Sequence, residues 1–347
     1  MGWHVAVLGT GGWSRVHLGA LAASEHVARV TLAGRNTQAA TELRDQYPIV
    51  TETRSDFASV FDDASVELVH ICLPHHLHAE IACAALASGK HVICEKPAAI
   101  SLKEFDRIVE VAGNSNRRFL VVMNQLYNPI VRRVRQLVDN GSLGRPFLCV
   151  ETGFSHHAHF YRDPHTWRTR IKKSGGGVLI DGGFHMIYKQ LYMLGGLGHP
   201  QWVTADAAQL NVDPSGETIP EIGEDYVSYT VGYEGPLRIV SSHAWTLAAD
   251  VKRPRRGFIA GSEATLELPI GAEDPLVLRR PAGDELIEIE AGPRSGPDTT
   301  QACLVDYIDA LVTGRDLEHT TPEAARETLA VVLAIYDSAS HQQRTTL

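Results

Sequence analysis

Hydrophobic and polar residues follow two different patterns along the chain, and the pattern changes near residue 124. Up to that point, short apolar runs alternate with segments of helical periodicity, which is the arrangement of βαβ units that build a parallel sheet. The predicted strands cover residues 4–9, 27–33, 68–73, 91–94 and 119–123, and the predicted helices cover 14–23, 38–47, 78–88 and 102–112. We therefore expect residues 1–123 to form a parallel α/β domain.

The second part of the chain shows an alternation of period two, which predicts strands with one buried face. These strands cover residues 146–153, 202–210, 225–233, 237–245, 258–260 and 265–268, with helices at 130–140, 183–194, 300–313 and 322–340. Residues 274–299 are rich in proline, glycine and charge, and are expected to form a surface segment with many loops. Residues 124–347 are thus predicted to form a second domain, in which helices cover a mainly antiparallel sheet.

Composition narrows the range of partners. The 347 residues include 32 basic and 41 acidic side chains, a net charge of −9, which argues against nucleic acid as a main partner. No apolar run approaches the roughly 18 residues that a membrane-spanning helix needs, and the N-terminus shows no signal-peptide pattern. The five cysteines include no C-x-x-C pair, and their number is odd. Free thiols in a reducing compartment are the simplest account of them. We expect a cytoplasmic protein with no membrane partner.

A glycine-rich segment joins the first predicted strand to the first predicted helix. Its sequence is Gly9-Thr10-Gly11-Gly12-Trp13-Ser14, one residue away from the G-x-G-x-x-G fingerprint of dinucleotide-binding proteins. Glycine suits this place because the backbone turns tightly and approaches a pyrophosphate closely, while the next helix offers its first amides. The segment predicts a dinucleotide site formed by Gly9, Gly11, Gly12, Trp13 and Ser14.

The corner after the second predicted strand bears on the choice of cofactor. A carboxylate here would bind the ribose 2′-OH of NAD, but the sequence is Gly34-Arg35-Asn36, without an acid. Arg35 could bind a 2′-phosphate instead. We therefore slightly favour NADP over NAD, and NAD stays possible.

Three further segments carry candidate chemistry. The first, Leu73-Pro74-His75-His76-Leu77-His78, follows a predicted parallel strand, at the end where ligands bind in open α/β sheets. The other two are GKHVICEKP at residues 89–97 and SGGGVLIDGGFH at residues 174–185. Together with the glycine loop, and in the same order, these segments resemble the glucose–fructose oxidoreductase / inositol dehydrogenase family (Gfo/Idh/MocA) over essentially the whole chain.

The resemblance implies a fold and an activity. The expected fold is an N-terminal Rossmann domain followed by an α/β domain with a large open, mainly antiparallel sheet. The expected activity is reversible hydride transfer between NAD(P) and a hydroxyl carbon of a sugar, sugar acid or cyclitol. Because the open sheet of the family commonly packs between subunits, the resemblance also implies a homodimer or homotetramer.

Three residues are the main catalytic candidates. Lys96 precedes a proline at a strand end, and its charge can polarise an alkoxide or carbonyl. Asp181 and His185 stand four residues apart, on one face of a helix expected to begin near residue 183, and the three glycines at 175–177 permit close approach of backbone to ligand. His185 can take a hydroxyl proton near neutral pH, oriented by Asp181. By resemblance, Asp181 and His185 match the substrate-site carboxylate and the catalytic histidine of the family.

The remaining site residues are assigned by place in the motifs. The residues expected on the cofactor side, besides the glycine loop and the Gly34-Arg35-Asn36 corner, are Leu73, Pro74, His75, His78, Glu95, Lys96, Trp167 and Arg168. The residues expected to contact the substrate are Lys96, Asn124, Tyr127, His157, Arg162, Arg168, Lys172, Lys173, Asp181 and His185.

Two departures from the family pattern point to an atypical substrate. Tyr188 stands where the family usually has an acid, three residues after the histidine, and residues 124–129 lack the usual arginine. A basic run at Arg162, Arg168, Arg170, Lys172 and Lys173 is either a solvated loop or a pocket for an acidic sugar.

The sequence His156-His157-Ala158-His159 suggests a metal site, but we expect none. Only His157 and His159 would lie on the same side of a strand, and no convincing third ligand follows.

Three functions stay open on the sequence. The first is a sugar or cyclitol dehydrogenase that uses Lys96, Asp181 and His185. The second is a redox-neutral, NAD-dependent glycosidase, in which oxidation, elimination, water addition and re-reduction follow one another and Tyr188 or Tyr161 acts as the base. The third is a regulatory protein that senses the cofactor, which the catalytic set makes the least favoured.

Overall fold

The structure, a computed structural model, describes residues 2–157, 163, 166–210, 217–247, 255–269 and 274–347. The chain divides into two compact units. The first combines Met1–Tyr127 with Ser295–Arg326, and the second combines Asn128–Arg294 with Glu327–Leu347.

The first unit is built on a parallel sheet of six strands within the described residues. The strands are β1 (Trp3–Leu8), β2 (Val27–Ala33), β3 (Val50–Arg54), β4 (Leu68–Ile71), β5 (His91–Cys94) and β6 (Phe119–Val121). Their order in the sheet is β3-β2-β1-β4-β5-β6, and every neighbouring pair is parallel. The order reverses between β1 and β4, and ligands of such sheets bind outside the carboxyl ends of the strands at that point.

Helices flank this sheet, because its inner strands β1 and β4 are almost wholly buried. They are α1 (Ser14–Ala23), α2 (Thr37–Gln46), α3 (Ala58–Asp62), α4 (His75–Ala87) and α5 (Leu102–Ser115), and a 3₁₀ turn follows at Asn124–Tyr127. The sequence patterns predicted α1, β2 and β5 with their observed bounds, and they missed β3 and α3. β3 has the polar sequence VTETR, and only Val50 in it is buried, so it lacks the apolar signal of the other strands.

The second unit contains a sheet of nine strands among the described residues. The strands are β7 (Pro146–Phe154), β8 (Pro200–Ala208), β9 (Tyr226–Tyr233), β10 (Arg238–Ala244), β11 (Arg255–Gly261), β12 (Thr265–Leu268), β13 (Leu276–Arg280), β14 (Gly283–Ile287) and β15 (Thr345–Thr346). Their order is β14-β13-β12-β11-β7-β10-β9-β8-β15, and the β7–β10 pair is parallel whereas the others are antiparallel. The predicted mainly antiparallel sheet is confirmed.

Helices complete the chain. They are α6 (Pro129–Asp139), α7 (Ile171–Ser174), α8 (Phe184–Leu194), α9 (Gly296–Thr313) and α10 (Pro322–His341), with a π-helix at Leu179–Gly183 and a 3₁₀ turn at Gly195–Leu197. The expectation of a loop-rich segment at 274–299 is wrong in part, because β13 and β14 form a hairpin there.

The two faces of the second sheet differ in burial. Cys149, Ile239 and Val231 lie side by side on β7, β10 and β9, and each is at most 1% exposed. On the opposite face, Val240 lies beside Val150 and is 38% exposed. The period-two pattern therefore marks the sheet's buried face as expected.

The helix α9 belongs to the first unit, although the sequence placed the domain boundary between residues 123 and 124. Its apolar side chains Cys303, Leu304 and Ile308 join Leu18 and Leu21 of α1 in one buried cluster. The chain thus returns to the first unit at Ser295–Arg326, because α9 fits its apolar face onto α1. Local pattern could not show this, since the cluster joins residues far apart in the chain.

Among the described residues, no helix is both long enough and apolar enough to cross a bilayer.

Candidate active site

The glycine loop follows β1 directly and leads into α1. Gly9 has a φ of +118°, and a Cβ atom there would lie 2.2 Å from the carbonyl oxygen of Cys72, so the position requires glycine. At Gly11 and Gly12, no described atom other than those of the glycine and its chain neighbours lies within 4 Å of the place a Cβ would take. Ser14 closes the loop by donating from Oγ to the carbonyl of Gly9 at 2.9 Å. The glycine backbone is thus accessible next to a helix N-terminus, which fits a pyrophosphate.

The corner after β2 is the place where this type of fold recognises the adenosine ribose. Gly34 is buried, and a Cβ at Gly34 would lie 2.7 Å from Cγ2 of Thr10. Arg35 is exposed, whereas the side chain of Asn36 accepts a hydrogen bond from the amide of Ala39 at 3.0 Å and caps α2. The corner therefore presents a guanidinium group and no carboxylate.

Lys96 follows β5 and is 7% exposed. It stands at the same edge of the sheet as the glycine loop, because β1 and β5 are parallel members of one sheet. The preceding residue, Glu95, accepts a hydrogen bond from Nε1 of Trp13 at 2.9 Å, and its Oε1 lies 2.8 Å from Nε2 of His17. Its Oε2 accepts a hydrogen bond from the amide of Lys96 at 3.2 Å. Glu95 thus contacts protein groups, and the predicted contact of Glu95 with a cofactor stays a prediction.

Two of the three histidines at the start of α4, His75 and His78, are buried. The helix begins at His75, three residues before the predicted start, directly after Pro74. His78 is 0% exposed; its Nδ1 lies 2.8 Å from the carbonyl oxygen of Pro97, and its Nε2 lies 2.7 Å from that of Leu73. Burial lowers the pKa of His78, although the two carbonyls oppose this shift. His78 therefore ties together the loops after β4 and β5, and its predicted contact with a cofactor stays a prediction.

Asp181 and His185 lie on one continuous helical segment of the second unit. The π-helix at Leu179–Gly183 passes directly into α8, so the segment starts four residues before the predicted start. Asp181 is 6% exposed, and its Oδ2 accepts a hydrogen bond from Nη1 of Arg168 at 2.7 Å. The guanidinium of Arg168 also stacks on Trp167, 4.9 Å from the ring centroid. The guanidinium of Arg168 therefore contacts both Asp181 and Trp167, and the expected place of Trp167 and Arg168 on the cofactor side stays a prediction.

The imidazole of His185 has Tyr188 as a neighbour. Its Nδ1 lies 3.1 Å from the hydroxyl oxygen of Tyr188, and the rings meet edge to face with centroids 5.7 Å apart. Tyr188 is 1% exposed, whereas His185 is partly exposed. The burial of Tyr188 argues against its expected alternative role as a base on the substrate. The pairing of Asp181 with His185 stays a prediction.

Two of the three glycines before this segment, Gly176 and Gly177, serve the packing of the protein. A Cβ at Gly177 would lie 1.8 Å from the carbonyl oxygen of Glu224, and one at Gly176 would lie 2.1 Å from the hydroxyl oxygen of Tyr336. The carboxylate of Glu224 accepts hydrogen bonds from the amides of Gly177 and Leu179 and from the hydroxyl of Tyr336, each at 2.9 Å. The expectation that these glycines let the backbone approach a ligand is therefore wrong for both positions.

Glu224 and Tyr336 hold the N-terminus of the segment that carries Asp181 and His185. Tyr336 also accepts a hydrogen bond from the amide of Ile180 at 3.2 Å. Burial raises the pKa of Glu224 to about 7, although its hydrogen-bond donors oppose the shift. Sequence analysis missed both residues, because they lie far along the chain from the amides they bind and no local motif marks them.

Two residues expected to contact the substrate are engaged within the first unit. Asn124 is 2% exposed, and its side chain donates to the hydroxyls of Thr299 and Thr300 at 3.1 and 2.9 Å. The hydroxyl of Tyr127 donates to the carboxylate of Asp306. These contacts fasten α9 to the 3₁₀ turn at Asn124–Tyr127 and give both residues a structural role.

The described members of the predicted basic run either pair with acids or are exposed. Arg168 pairs with Asp181, and Arg170 pairs with Glu221 at 3.2 Å. Lys172 and Lys173 are exposed on α7. Arg162, like Tyr161 and His159, lies outside the described residues.

The expected absence of a metal site stays a prediction. His157 lies edge to face against Trp245, with ring centroids 6.2 Å apart. The part of the chain that the structure describes contains no group of three or more histidine, cysteine, aspartate or glutamate side chains that could hold a metal ion.

Trp245 was not predicted from the sequence, because a lone tryptophan on a strand is normally a core residue. Its indole would lie 3.0 Å from a Cβ at Gly182, so it packs against the segment that carries Asp181 and His185.

The fold and the loop define the class of protein. A parallel sheet of order β3-β2-β1-β4-β5-β6, with a glycine loop between its first strand and first helix, is the Rossmann arrangement of dinucleotide-binding proteins. Two family models match: "Oxidoreductase family, NAD-binding Rossmann fold" over residues 3–123 and "GFO/IDH/MocA C-terminal domain" over residues 131–267. The chain belongs to the Gfo/Idh/MocA oxidoreductase family.

Individual relatives agree with this assignment. Levoglucosan dehydrogenase of Pseudarthrobacter phenanthrenivorans is 32% identical over 167 residues, 48% of this chain and 43% of that protein. Glucose-6-phosphate 3-dehydrogenase of Bacillus subtilis is 31% identical over 192 residues, 54% of this chain and 53% of that protein. The matched regions thus span about half the length of these curated relatives.

Solved structures share the fold over the full length. Levoglucosan dehydrogenase in complex with NADH and levoglucosan has a TM-score of 0.87 at 21% identity, covering 100% of this chain and 99% of that chain. Aldose-aldose oxidoreductase of Caulobacter crescentus, complexed with glycerol, has a TM-score of 0.83 at 21% identity, covering 100% of both chains. The predicted combination of a Rossmann sheet and a second, mainly antiparallel sheet is confirmed.

Proposed function

We propose that this protein is an NAD(P)-dependent dehydrogenase that oxidises a hydroxyl carbon of a sugar, sugar acid or cyclitol. The observation that carries the proposal is the position of Lys96. It follows β5 at the sheet edge where the glycine loop follows β1, so a cation stands beside the place suited to a dinucleotide. Relatives named levoglucosan dehydrogenase and inositol 2-dehydrogenase support the substrate class.

The residues divide the chemistry between them. A bound nicotinamide supplies the acceptor for the hydride that leaves the substrate carbon. Lys96 stabilises the negative charge that develops on the substrate oxygen. His185 takes the hydroxyl proton, so that the alcohol becomes a carbonyl. Asp181, paired with Arg168, contributes negative charge near the histidine when the imidazolium forms.

Tyr188 prepares His185 for this step. If Nδ1–H of His185 donates to the hydroxyl oxygen of Tyr188, Nε2 carries the lone pair that accepts the substrate proton. Tyr188 thus offers His185 a neutral hydroxyl at the place where the family usually has an acid.

Removal of this hydroxyl has a measurable consequence. Tyr188→Phe keeps the buried ring but loses the partner of Nδ1, so we expect kcat to fall about tenfold with little change in KM. The control is Tyr192→Phe in the same helix. The ring of Tyr192 lies under the guanidinium of Arg135, and phenylalanine retains that ring. A Tyr188→Phe enzyme with kcat within twofold of the wild type would contradict the orienting role.

We further propose that the cofactor is NADP rather than NAD. Arg35 is exposed at the corner after β2, and the buried Gly34 against Thr10 leaves no place for a carboxylate without movement of Thr10. A guanidinium binds the 2′-phosphate of NADP well, whereas a carboxylate would repel that phosphate.

The cofactor proposal is tested by Arg35→Ala. We expect KM for NADP to rise about 10- to 100-fold, because an ion-assisted hydrogen bond contributes about 1.5–3 kcal/mol, with KM for NAD nearly unchanged. Arg44→Ala, an exposed arginine of α2 that pairs with Asp45, is the matched control. Equal changes for both cofactors, or a wild type that prefers NAD, would refute the assignment.

Among substrates, we place neutral sugars and cyclitols before anionic ones. Arg168 and Arg170 pair with acids of the protein, and Lys172 and Lys173 are exposed. The relative named glucose-6-phosphate 3-dehydrogenase keeps a phosphorylated sugar as the alternative.

The partner of the folded chain is proposed to be a second copy, as a homodimer or homotetramer. Support comes from the face of the second sheet that carries Val150 and Val240, because a partly exposed apolar sheet face is typical of an interface.

One experiment tests the proposed function. The wild type is incubated with NAD and with NADP against neutral sugars, cyclitols, sugar phosphates, sugar acids and glycosides, and reduced cofactor at 340 nm and free sugar are followed together. Net cofactor reduction with an unsubstituted sugar is expected. Release of free sugar from a glycoside with catalytic cofactor and no net reduction would overturn the dehydrogenase and establish the redox-neutral glycosidase.

A further inference from the structure

Glu95 binds three separate parts of the first unit with one carboxylate. Its Oε1 accepts from Nε1 of Trp13 in the glycine loop and lies 2.8 Å from Nε2 of His17 on α1. Its Oε2 accepts from the amide of Lys96. The side chain of Glu95 is only 12% exposed, so water competes little for these hydrogen bonds.

The carboxylate is held by a buried charge. His17 is 0% exposed; burial lowers its pKa, but Cys72 and Glu95 outweigh burial and raise the pKa to about 10. Burial also raises the pKa of the Cys72 thiol, although His17 opposes this shift. The pKa of Glu95 is lowered, because His17 outweighs the effect of burial. Glu95 and His17 therefore form an ion pair in the interior of the first unit.

The other side of the imidazole is also occupied. Nδ1 of His17 lies 3.1 Å from Nδ1 of His70, which is 0% exposed. Burial and the charge of His17 keep the pKa of His70 well below its usual range. A neutral His70 can accept the Nδ1 proton of a charged His17, so His17 has a partner on each nitrogen and is fixed in orientation.

We propose that Glu95 is a positioning residue that links the glycine loop to Lys96. A shift of Trp13 when the loop is occupied is transmitted to the amide of Lys96, because both donate to the same carboxylate. The inference rests on the proposed function, in which a dinucleotide binds at the glycine loop and Lys96 acts on the substrate. By reciprocity, a change at Lys96 alters cofactor affinity through Trp13.

The first test is kinetic, at saturating cofactor. Trp13→Phe removes the indole donor, and we expect kcat to fall about tenfold even when the loop is fully occupied. Glu95→Gln is expected to lower kcat at least as much. A Trp13 that only touches the cofactor would raise the cofactor KM and leave kcat at saturation unchanged, and this result would overturn the proposal.

The matched control is Glu67→Gln. Glu67 is an exposed carboxylate that accepts from the amide of His4 at 2.9 Å, and it precedes β4. The Glu67→Gln enzyme is expected to have the kcat of the wild type. Thermal midpoints are measured for every variant. If Glu95→Gln does not fold, Trp13→Phe keeps the proposal testable, because Trp13 is 36% exposed and its ring volume is largely retained.

The second test needs no substrate. The Kd of the reduced cofactor is measured for Trp13→Phe, Lys96→Met and the double variant, each with Glu95 and with Glu95→Gln. In the enzyme that keeps Lys96, we expect Trp13→Phe to raise the Kd of the cofactor about threefold. In the Lys96→Met background, Trp13→Phe is expected to leave Kd unchanged. With Glu95→Gln, this difference between the two backgrounds is expected to vanish. Effects that multiply in every background would overturn the link.

The outcomes separate this inference from the proposed function. A wild type that binds cofactor but oxidises no sugar contradicts the function, and the binding cycle still decides the link. An active wild type with unchanged kcat in Trp13→Phe and independent effects on Kd contradicts the link alone. A wild type that binds neither NAD nor NADP contradicts both.

Discussion

Replacing His185 by asparagine is expected to lower kcat about 1,000-fold, because it removes the group proposed to take the substrate proton. The amide of asparagine has no basic lone pair near neutral pH, although it is similar in size and polarity. KM and cofactor affinity are expected to change little, since Lys96 and the glycine loop are untouched. The measurement is steady-state oxidation of the best sugar at saturating NAD(P), followed at 340 nm.

A second histidine of the same unit provides the control for His185. His199 is exposed and pairs with Glu327, so His199→Asn is expected to leave kcat unchanged. A His185→Asn enzyme that keeps more than a tenth of the wild-type kcat would rule out His185 as the base. An equal loss in both variants would point to unfolding, which circular dichroism distinguishes.

The largest expected effect on stability is that of Gly177→Ala. A Cβ at this position would lie 1.8 Å from the carbonyl oxygen of Glu224 and 2.6 Å from its amide nitrogen, both backbone atoms that cannot turn aside. The two segments must separate, and we expect the free energy of unfolding to fall by about 3 kcal/mol or more. The thermal midpoint is measured by calorimetry or circular dichroism, and activity should fall as well, because Asp181 and His185 lose their fixed helix N-terminus.

Gly113→Ala is the matched substitution for comparison. Gly113 lies within α5, and no described atom beyond the neighbouring residues and backbone of that helix is within 4 Å of its Cβ position, so alanine there is expected to be neutral or slightly stabilising. A Gly177→Ala protein with the thermal midpoint of the wild type would show that residues 223–224 do not pack against the glycine run as described.

Glycines show where sequence reasoning was sufficient and where it was not. The loop at Gly9 was recognised from its place between a strand and a helix, and the structure gives it the expected tight turn. The run at 175–177 has a similar composition, and sequence analysis gave it the same purpose. Its neighbours are instead Glu224 and Tyr336, which stand 47 and 159 residues away from Gly177. A glycine needed for close approach looks the same in sequence whether a ligand or the protein itself approaches.

The candidate site divides in the same way. Motif spacing placed Lys96, Asp181 and His185 on their elements, and those roles stay proposals to be tested by substitution. The pattern did not predict that Nδ1 of His185 meets Tyr188, that Arg168 meets Asp181, or that Asn124 binds Thr299 and Thr300. Each of these contacts depends on side-chain direction or on a distant partner, and neither is encoded in local periodicity.

The amino-acid sequence by itself determined the two kinds of sheet, the glycine loop and the family, because periodicity and short motifs are local properties of the chain. The tertiary structure alone decided the return of α9 to the first unit, the carboxylate of Glu95 shared by Trp13, His17 and Lys96, and the capping of the Asp181–His185 segment by Glu224 and Tyr336. The physical reason is the same in all three cases. Buried polar groups and apolar helix faces find their partners by proximity in the folded chain, at sequence separations where no pattern connects them.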